Sequence, residues 1–189
     1  MSSDSAHEVW IVRHGETEWS KTLKHTSYTD VELTEVGESV ARGLVDRLPR
    51  DFDRVLCSPM LRARRTAELA GFADVEIDPD LVEWNYGQYE GVTTAEIRES
   101  VPGWTTWSHP SPGGESPGQV TLRCDRVIAK LRAQGGKTLV FGHGHSLRAL
   151  TARWLGLVAT DGRLFRLDTA TVSVLSYERE NPVIARWNA

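Results

Sequence analysis

Five side chains of this sequence are of types that can move a phosphoryl group: Arg13, His14, Arg62, Glu83 and His143. An arginine fork grips phosphate oxygens in pairs and keeps its charge. An imidazole can attack phosphorus, relay a proton or hold a metal. A carboxylic acid can hand a proton to a departing oxygen. Two guanidiniums, two imidazoles and one carboxyl together meet the needs of phosphoryl transfer through histidine. A neutral His attacks, the arginines absorb charge on the equatorial oxygens, and the carboxyl protonates the leaving group. No G-x-x-x-x-G-K-[ST] run occurs, which removes a P-loop mechanism. The His143-x-His145 pair lies in no H-E-x-x-H setting and has no carboxylate cluster around it, so neither a metal nor a cofactor is expected.

The elements must bring positions 13, 62, 83 and 143 together. Residues 9–13 read as a short buried strand running into Arg13-His14. Residues 54–58 read as a second, emptying into Pro59 and a helix over 60–70 that carries Arg62. Residues 138–142 read as a third, ending at His143, with a helix over 146–154. A helix is expected over 34–48, with Thr34 as N-cap and Pro49 as its stop. Another starts at Ser116-Pro117 and puts Val120, Cys124, Val127, Ile128 and Leu131 on one face. Residues 75–77 are a candidate strand, and 171–177 with 182–187 a candidate hairpin turning at Asn181-Pro182. The Pro- and Gly-rich stretch 102–118 reads as a surface excursion. This alternation predicts an α/β fold: one domain over 1–189, a three-layer sandwich with a mostly parallel central sheet and helices on both faces. Ligands of such sheets bind beyond the carboxyl ends of the strands, where these clusters lie.

A chain of 189 residues buries enough surface to fold without disulfide or metal staples. Its 40% hydrophobic and 25% charged residues argue against disorder. Lys and Arg number 22 against 26 Asp and Glu, a net charge of −4, which is the wrong sign for bulk attraction to nucleic acid or an anionic membrane. An anionic ligand must therefore be captured by a local basic site. Cys57 and Cys124 form no C-x-x-C and read as buried thiols of a reducing compartment. The first residues, MSSDSAHE, lack a basic and an apolar targeting region, and no apolar run nears the ~18 residues of a membrane span. The expectation is a cytoplasmic protein whose partner is a small phosphorylated metabolite, with no nucleic acid and no membrane.

Five blocks of the sequence carry a resemblance. Arg13-His14-Gly15-Glu16-Thr17 is followed by Ser58-Pro59-Met60-Leu61-Arg62-Ala63 with Thr66-Ala67. Then come Glu83-Trp84-Asn85-Tyr86-Gly87-Gln88-Tyr89-Glu90-Gly91, Gly113-Gly114-Glu115-Ser116 and Gly142-His143-Gly144. In this order, from about residue 9 to 155, they resemble the histidine phosphatase superfamily in its phosphoglycerate-mutase-like branch. The resemblance implies that His14 becomes phosphohistidine and that Arg13, Arg62 and His143 cradle the phosphoryl group. It implies that Glu83 protonates the leaving group and then serves as base for water. Glu83 must then be protonated while His14 is neutral; burial of Glu83 is expected to raise its pKa, giving a mildly acidic to neutral optimum. The resemblance also places Ser20, Thr26, Ser27, Tyr86, Gly144 and His145 at the substrate, although glycine is usual in the family at Ser27. Homodimers through an exposed strand edge are common in such folds.

Mutases of this branch have arginine directly after the glutamate, where this chain has Trp84. Their basic insert also looks missing, since residues 92–112 hold only Arg98 apart from His109. The chain is accordingly more similar to sedoheptulose-1,7-bisphosphatases and bacterial acid phosphatases. This implies hydrolysis of small phosphomonoesters, sugar phosphates or bisphosphates. A phosphoglycerate mutase is the alternative, and a phospho-ligand binding module without turnover a second one. Arg64 and Arg65 are expected as solvated helix charges, with contact to a second phosphate as the other reading. Glu16 is expected to hydrogen-bond within its loop. Trp10, Trp84, Trp154 and Trp187 are expected in the core or pocket wall, and Trp104 and Trp107 as a lid.

Overall fold

Strand β1 (Glu8–Arg13) alternates its side chains between two apolar layers, as the two-residue period of a strand requires. In the computed structural model, which describes residues 7–189, Val9 and Ile11 face one cluster, while Trp10 and Val12 face the other. Residues 1–6, most of the polar start read above, lie outside the described residues. The first cluster joins β1 to helices α5 (Pro117–Gln134) and α6 (Gly144–Trp154) through Val120, Val127, Leu131, Leu147 and Trp154. The second lies under α2 (Glu35–Gly43) and α3 (Leu61–Leu69), with Leu44, Ala63 and Ala67 against the sheet. Helices thus cover both faces of one sheet.

The remaining strands are β2 (Arg54–Cys57), β3 (Glu76–Ile77), β4 (Lys137–Gly142), β5 (Val172–Glu178) and β6 (Asn181–Arg186). Their order is β3-β2-β4-β1-β5-β6. The first four are parallel, and β5 and β6 are antiparallel additions. The register places Arg13 opposite Gly142, and Cys57 opposite Phe141. The residues that follow these strands, His14, Ser58 and His143, therefore leave the sheet at one level.

Several boundaries differ from the sequence reading. Helix α2 stops at Gly43 and tightens into a 3₁₀ turn over Leu44–Asp46. Helix α6 starts at Gly144, directly after His143. The β5–β6 turn falls at Arg179, with φ of 56°, and Glu180, so Asn181 and Pro182 belong to β6. Pro182 is tolerated there because β6 is an edge strand, where a missing N–H need not break a ladder. Two short helices were not anticipated: α1 (Glu18–Lys21) and α4 (Thr94–Ser100), each opened by a capping box, Thr17 with Ser20 and Thr93 with Glu96. Trp104 is fully buried, its indole N–H bonded to the Pro110 carbonyl at 3.3 Å and its ring against His25 and Tyr89. It anchors the Pro- and Gly-rich stretch and is not a lid. Cys57 and Cys124 are free and buried, and burial pushes both thiols up to about 12. No helix among the described residues is long and apolar enough to cross a membrane.

Candidate active site

The chain leaving β1 is locked before it presents any chemistry. The His14 N–H bonds the Gly142 carbonyl at 3.0 Å, and the Gly15 N–H bonds Thr66 Oγ1 of α3 at 2.9 Å. Thr66 in turn donates to the Arg62 carbonyl at 2.7 Å, tying both blocks together. Close packing on α2 needs glycine at two places. A Cβ on Gly15 would lie 2.8 Å from the Gly37 carbonyl oxygen, and one on Gly37 2.2 Å from that of Glu16. Glu16 itself accepts at 2.8 Å from the hydroxyl of Thr34, the N-cap residue of α2, so its bond is structural but reaches beyond its own loop.

The His14 ring is buried, with Nδ1 2.7 Å from the Gly15 carbonyl oxygen. A carbonyl only accepts, so Nδ1 carries the proton and Nε2 keeps its lone pair. Burial, then the charges of Arg62 and Arg13, hold the His14 pKa well below its ordinary 6.5, against an opposing push from the Gly15 bond. The ring is therefore neutral, as a nucleophile must be. His143 lies beside it, ring centroids 5.2 Å apart, with Nε2 2.7 Å from Ser58 Oγ. Burial, then the charge of Arg62, holds its pKa well below 6.5 as well.

Arg62 has no exposed surface and donates to the carbonyls of Thr26, Ser27 and Thr29 at 3.2, 2.9 and 3.0 Å. Arg13 donates to the Leu167 carbonyl at 2.6 Å. Three buried nitrogens around His14 have no partner: Arg13 Nε, Arg62 Nε and His143 Nδ1. Leaving a buried donor unpaired costs about 1–3 kcal/mol, and more when the group is charged. Arg13 Nε and Arg62 Nε are obligate charged donors, the kind that suits an oxyanion.

Glu83 closes the site from the other side. Its Oε1 accepts from the backbone N–H of Trp84 and Ser146 at 2.8 and 2.7 Å, and its Oε2 from that of His145 at 3.0 Å. His143 at the N-cap of α6 makes no side-chain cap, and Glu83 supplies that function from outside the helix. Buried Arg123 holds the Glu83 loop through the Asp80 and Val82 carbonyls at 2.7 and 2.9 Å, and pairs with Glu115 at 2.9 Å. Glu115 also accepts from the Asn85 N–H at 2.9 Å.

Above these groups opens a cavity of about 560 Å³. Arg13, His14 and Glu83 line it, as do Ser20, Thr26, Tyr86, Gly144 and His145; Arg62 and His143 lie beneath. The Tyr86 hydroxyl and His145 Nδ1 are 2.6 Å apart. Ser27 is not on the wall: its N–H lies 2.8 Å from Glu90, and its hydroxyl turns to the same carboxylate. A serine fits this position because it supplies Glu90 with a donor, and its carbonyl serves Arg62. Arg64 and Arg65 are also outside, Arg65 being paired with Glu38 and Glu68 at 2.8 and 2.9 Å. Trp107 does line the cavity, under Arg148, whose guanidinium lies 4.8 Å from its ring. Sequence reasoning missed Arg148 although it sits five residues after His143 in a helix already recognised. No group of three metal-ligating side chains could hold an ion among the described residues.

Three buried histidines and the half-buried His145 make the fold acid-sensitive. Burial holds His14, His143 and His145 well below 6.5 and brings His25 down to about 4. The folded chain then binds fewer protons than the unfolded one below pH 6.5. The stability these rings allow is complete above that pH and is lost as pH falls toward 4. His25 alone accounts for about 3 kcal/mol by pH 4. The urea midpoint is expected to drop steeply from pH 7 to 4.5; a flat midpoint would contradict this.

The comparisons with known proteins agree with this geometry. The family model of the histidine phosphatase superfamily (branch 1) matches residues 9–189. An acid phosphatase of Mycobacterium tuberculosis is 41% identical over 177 residues, covering 91% of this chain and 87% of that protein. The sedoheptulose 1,7-bisphosphatase of Saccharomyces cerevisiae is 36% identical over 181 residues, covering 78% and 67%. The solved structure of a Mycobacterium tuberculosis open reading frame superposes with a TM-score of 0.92 at 38% identity, over 96% of this chain and 97% of that one. The chain belongs to branch 1 of the histidine phosphatase superfamily and is a phosphatase.

Proposed function

We propose that this protein is a metal-independent phosphomonoesterase acting through phosphohistidine on small phosphorylated metabolites, sugar phosphates or bisphosphates, with broad acid-phosphatase activity. The observation that carries the reading is His14, neutral with Nε2 free, set among three buried nitrogens that lack an acceptor. The mechanism uses the His143 tautomer in which the Ser58 hydroxyl donates to Nε2, so that Nδ1–H binds a phosphoryl oxygen. Arg13 and Arg62 supply the positive charge.

In the first step His14 Nε2 forms a bond to phosphorus while the ester P–O bond breaks, and protonated Glu83 gives its proton to the departing oxygen. In the second, Glu83 takes a proton from water as the water oxygen bonds phosphorus and the P–N bond breaks. Inorganic phosphate leaves and Glu83 is protonated again. The acid phosphatase and the sugar bisphosphatase among the relatives support this substrate class.

The test is phosphate release from sedoheptulose 1,7-bisphosphate and a panel of sugar monophosphates, with EDTA present. Release at undiminished rate in EDTA is expected. Conversion of 3- to 2-phosphoglycerate without net phosphate release, or no release from any substrate, would overturn the reading.

A further inference from the structure

The cavity holds more positive charge than one phosphoryl group needs. Besides Arg13 it is lined by Lys24, Arg98 and Arg148, and among the described residues the sole acidic side chain on its wall is Glu83. The whole chain carries a net charge of −4, so cations are concentrated here against the average. Lys24, Arg98 and Arg148 take part in no ion pair among the described residues.

These three cations are held differently. Arg148 is built into the wall: its Nε and Nη2 donate to the Gly162 and Arg163 carbonyls at 3.0 and 3.3 Å while it stacks on Trp107. Arg98 is pinned at one point, Nε to the Trp104 carbonyl at 2.8 Å, which aims the group and leaves both Nη nitrogens without a partner among the described residues. Lys24 Nζ makes no hydrogen bond there and lies 5.9 Å from the Trp19 ring. Glu96 is within its electrostatic reach, but Glu96 Oε2 is already occupied by the Thr93 N–H and hydroxyl at 2.8 and 2.7 Å.

The backbone places Lys24 and Arg98 on joined segments. Lys24 pairs with Thr93 in an antiparallel bridge, and the His25 N–H bonds the Val92 carbonyl at 3.0 Å. Thr93 caps α4, and Thr94, Ala95 and Arg98 of that helix line the cavity. Lys24 and Arg98, both solvent-exposed, thus border one space on a frame set by main-chain bonds.

We propose that Lys24 and Arg98 form a second anion subsite, separate from the phosphoryl cradle, that selects phosphomonoesters whose leaving group carries another anionic group, phosphate or carboxylate. This rests on the phosphatase reading above. Arg148, held on the same wall by the Gly162 and Arg163 carbonyls and its stacking on Trp107, adds to the field without offering its full fork. The guanidinium supplies paired donors to the distant oxyanion, and the ammonium a mobile point charge.

The test compares kcat/KM for glucose 6-phosphate, glucose 1,6-bisphosphate and 6-phosphogluconate, in the full chain and in Arg98→Ala, Lys24→Ala and Arg98→Lys. The unaltered protein should prefer one or both doubly anionic substrates. Each alanine variant should cut that preference about tenfold or more, with partial recovery in Arg98→Lys. The preference should also shrink as salt is added. Preference for the bisphosphate alone identifies phosphate as the second group, and preference for both identifies the shared charge. Equal turnover of all three, or preference that survives both alanine variants, overturns the subsite and leaves the phosphatase reading standing. Failure to hydrolyse any of them or p-nitrophenyl phosphate removes the phosphatase reading, and the subsite with it.

Discussion

Replacing His14 by alanine should lower kcat for phosphate release by at least about 10⁴-fold, because the attacking atom itself is lost. The loss should fall on turnover and not on folding. The His14 ring makes its hydrogen bond to the neighbouring Gly15 carbonyl, and the loop is fixed by main-chain bonds to Gly142 and by Thr66. Phosphate should still bind the variant, since Arg13, Arg62 and His143 keep their places. Rapid quenching with ³²P-labelled substrate should trap label on the unaltered protein in an acid-labile, base-stable form, and none on His14→Ala. A variant within about tenfold of the parent would show that another group, or water directly, attacks phosphorus.

The second large effect is expected at Glu83. For alkyl phosphates, Glu83→Gln should reduce kcat/KM by about 10²–10⁴-fold, the range a positioned general acid supplies. For p-nitrophenyl phosphate the loss should be under about tenfold, because that leaving group departs without a proton. The parameter kcat/KM isolates the steps up to phosphohistidine, so the later attack of water does not blur the comparison. The substitution has a structural cost as well. The new amide can offer its carbonyl to Trp84 and Ser146, but its NH₂ then faces the His145 N–H, which loses its acceptor at about 1–3 kcal/mol. Thermal unfolding measured alongside separates the two effects. Equal loss for both leaving groups would make Glu83 a positioning residue and not the acid.

Strands that are apolar through their length and then break into polar residues were readable, which is why Arg13, Ser58 and His143 were placed together at strand ends. The buried helix faces of α5 and α6 were equally plain from their spacing. Short elements were not. Helix α1 has four residues and α4 seven, too few for a hydrophobic period to emerge. Yet Thr93-x-x-Glu96 was a capping box in plain view. Pro182 misled because proline suggests a turn, while an edge strand accepts it. Trp104 misled because its flanking prolines and glycines describe backbone, not depth: its burial depends on His25 and Tyr89, remote in sequence. Ser27 was assigned to the substrate by position in a loop. Which way its side chain turned depended on Glu90, 63 residues on. The cations of the upper cavity, Lys24 and Arg148, went unnoticed because no local pattern marks a charge that lacks a partner.

The pairing of Lys24 with Thr93 has a consequence for how such a protein can change. The attacking and cradling groups sit at strand ends and on the first turn of α3, and Glu83 in the loop beyond β3, whereas part of the upper wall comes from two chain segments bonded to each other. New appetites can be acquired by rewriting those segments as one cassette while the catalytic floor is inherited untouched. Grafting either segment alone would strand the His25 N–H or the Val92 carbonyl, so a successful transplant must carry both.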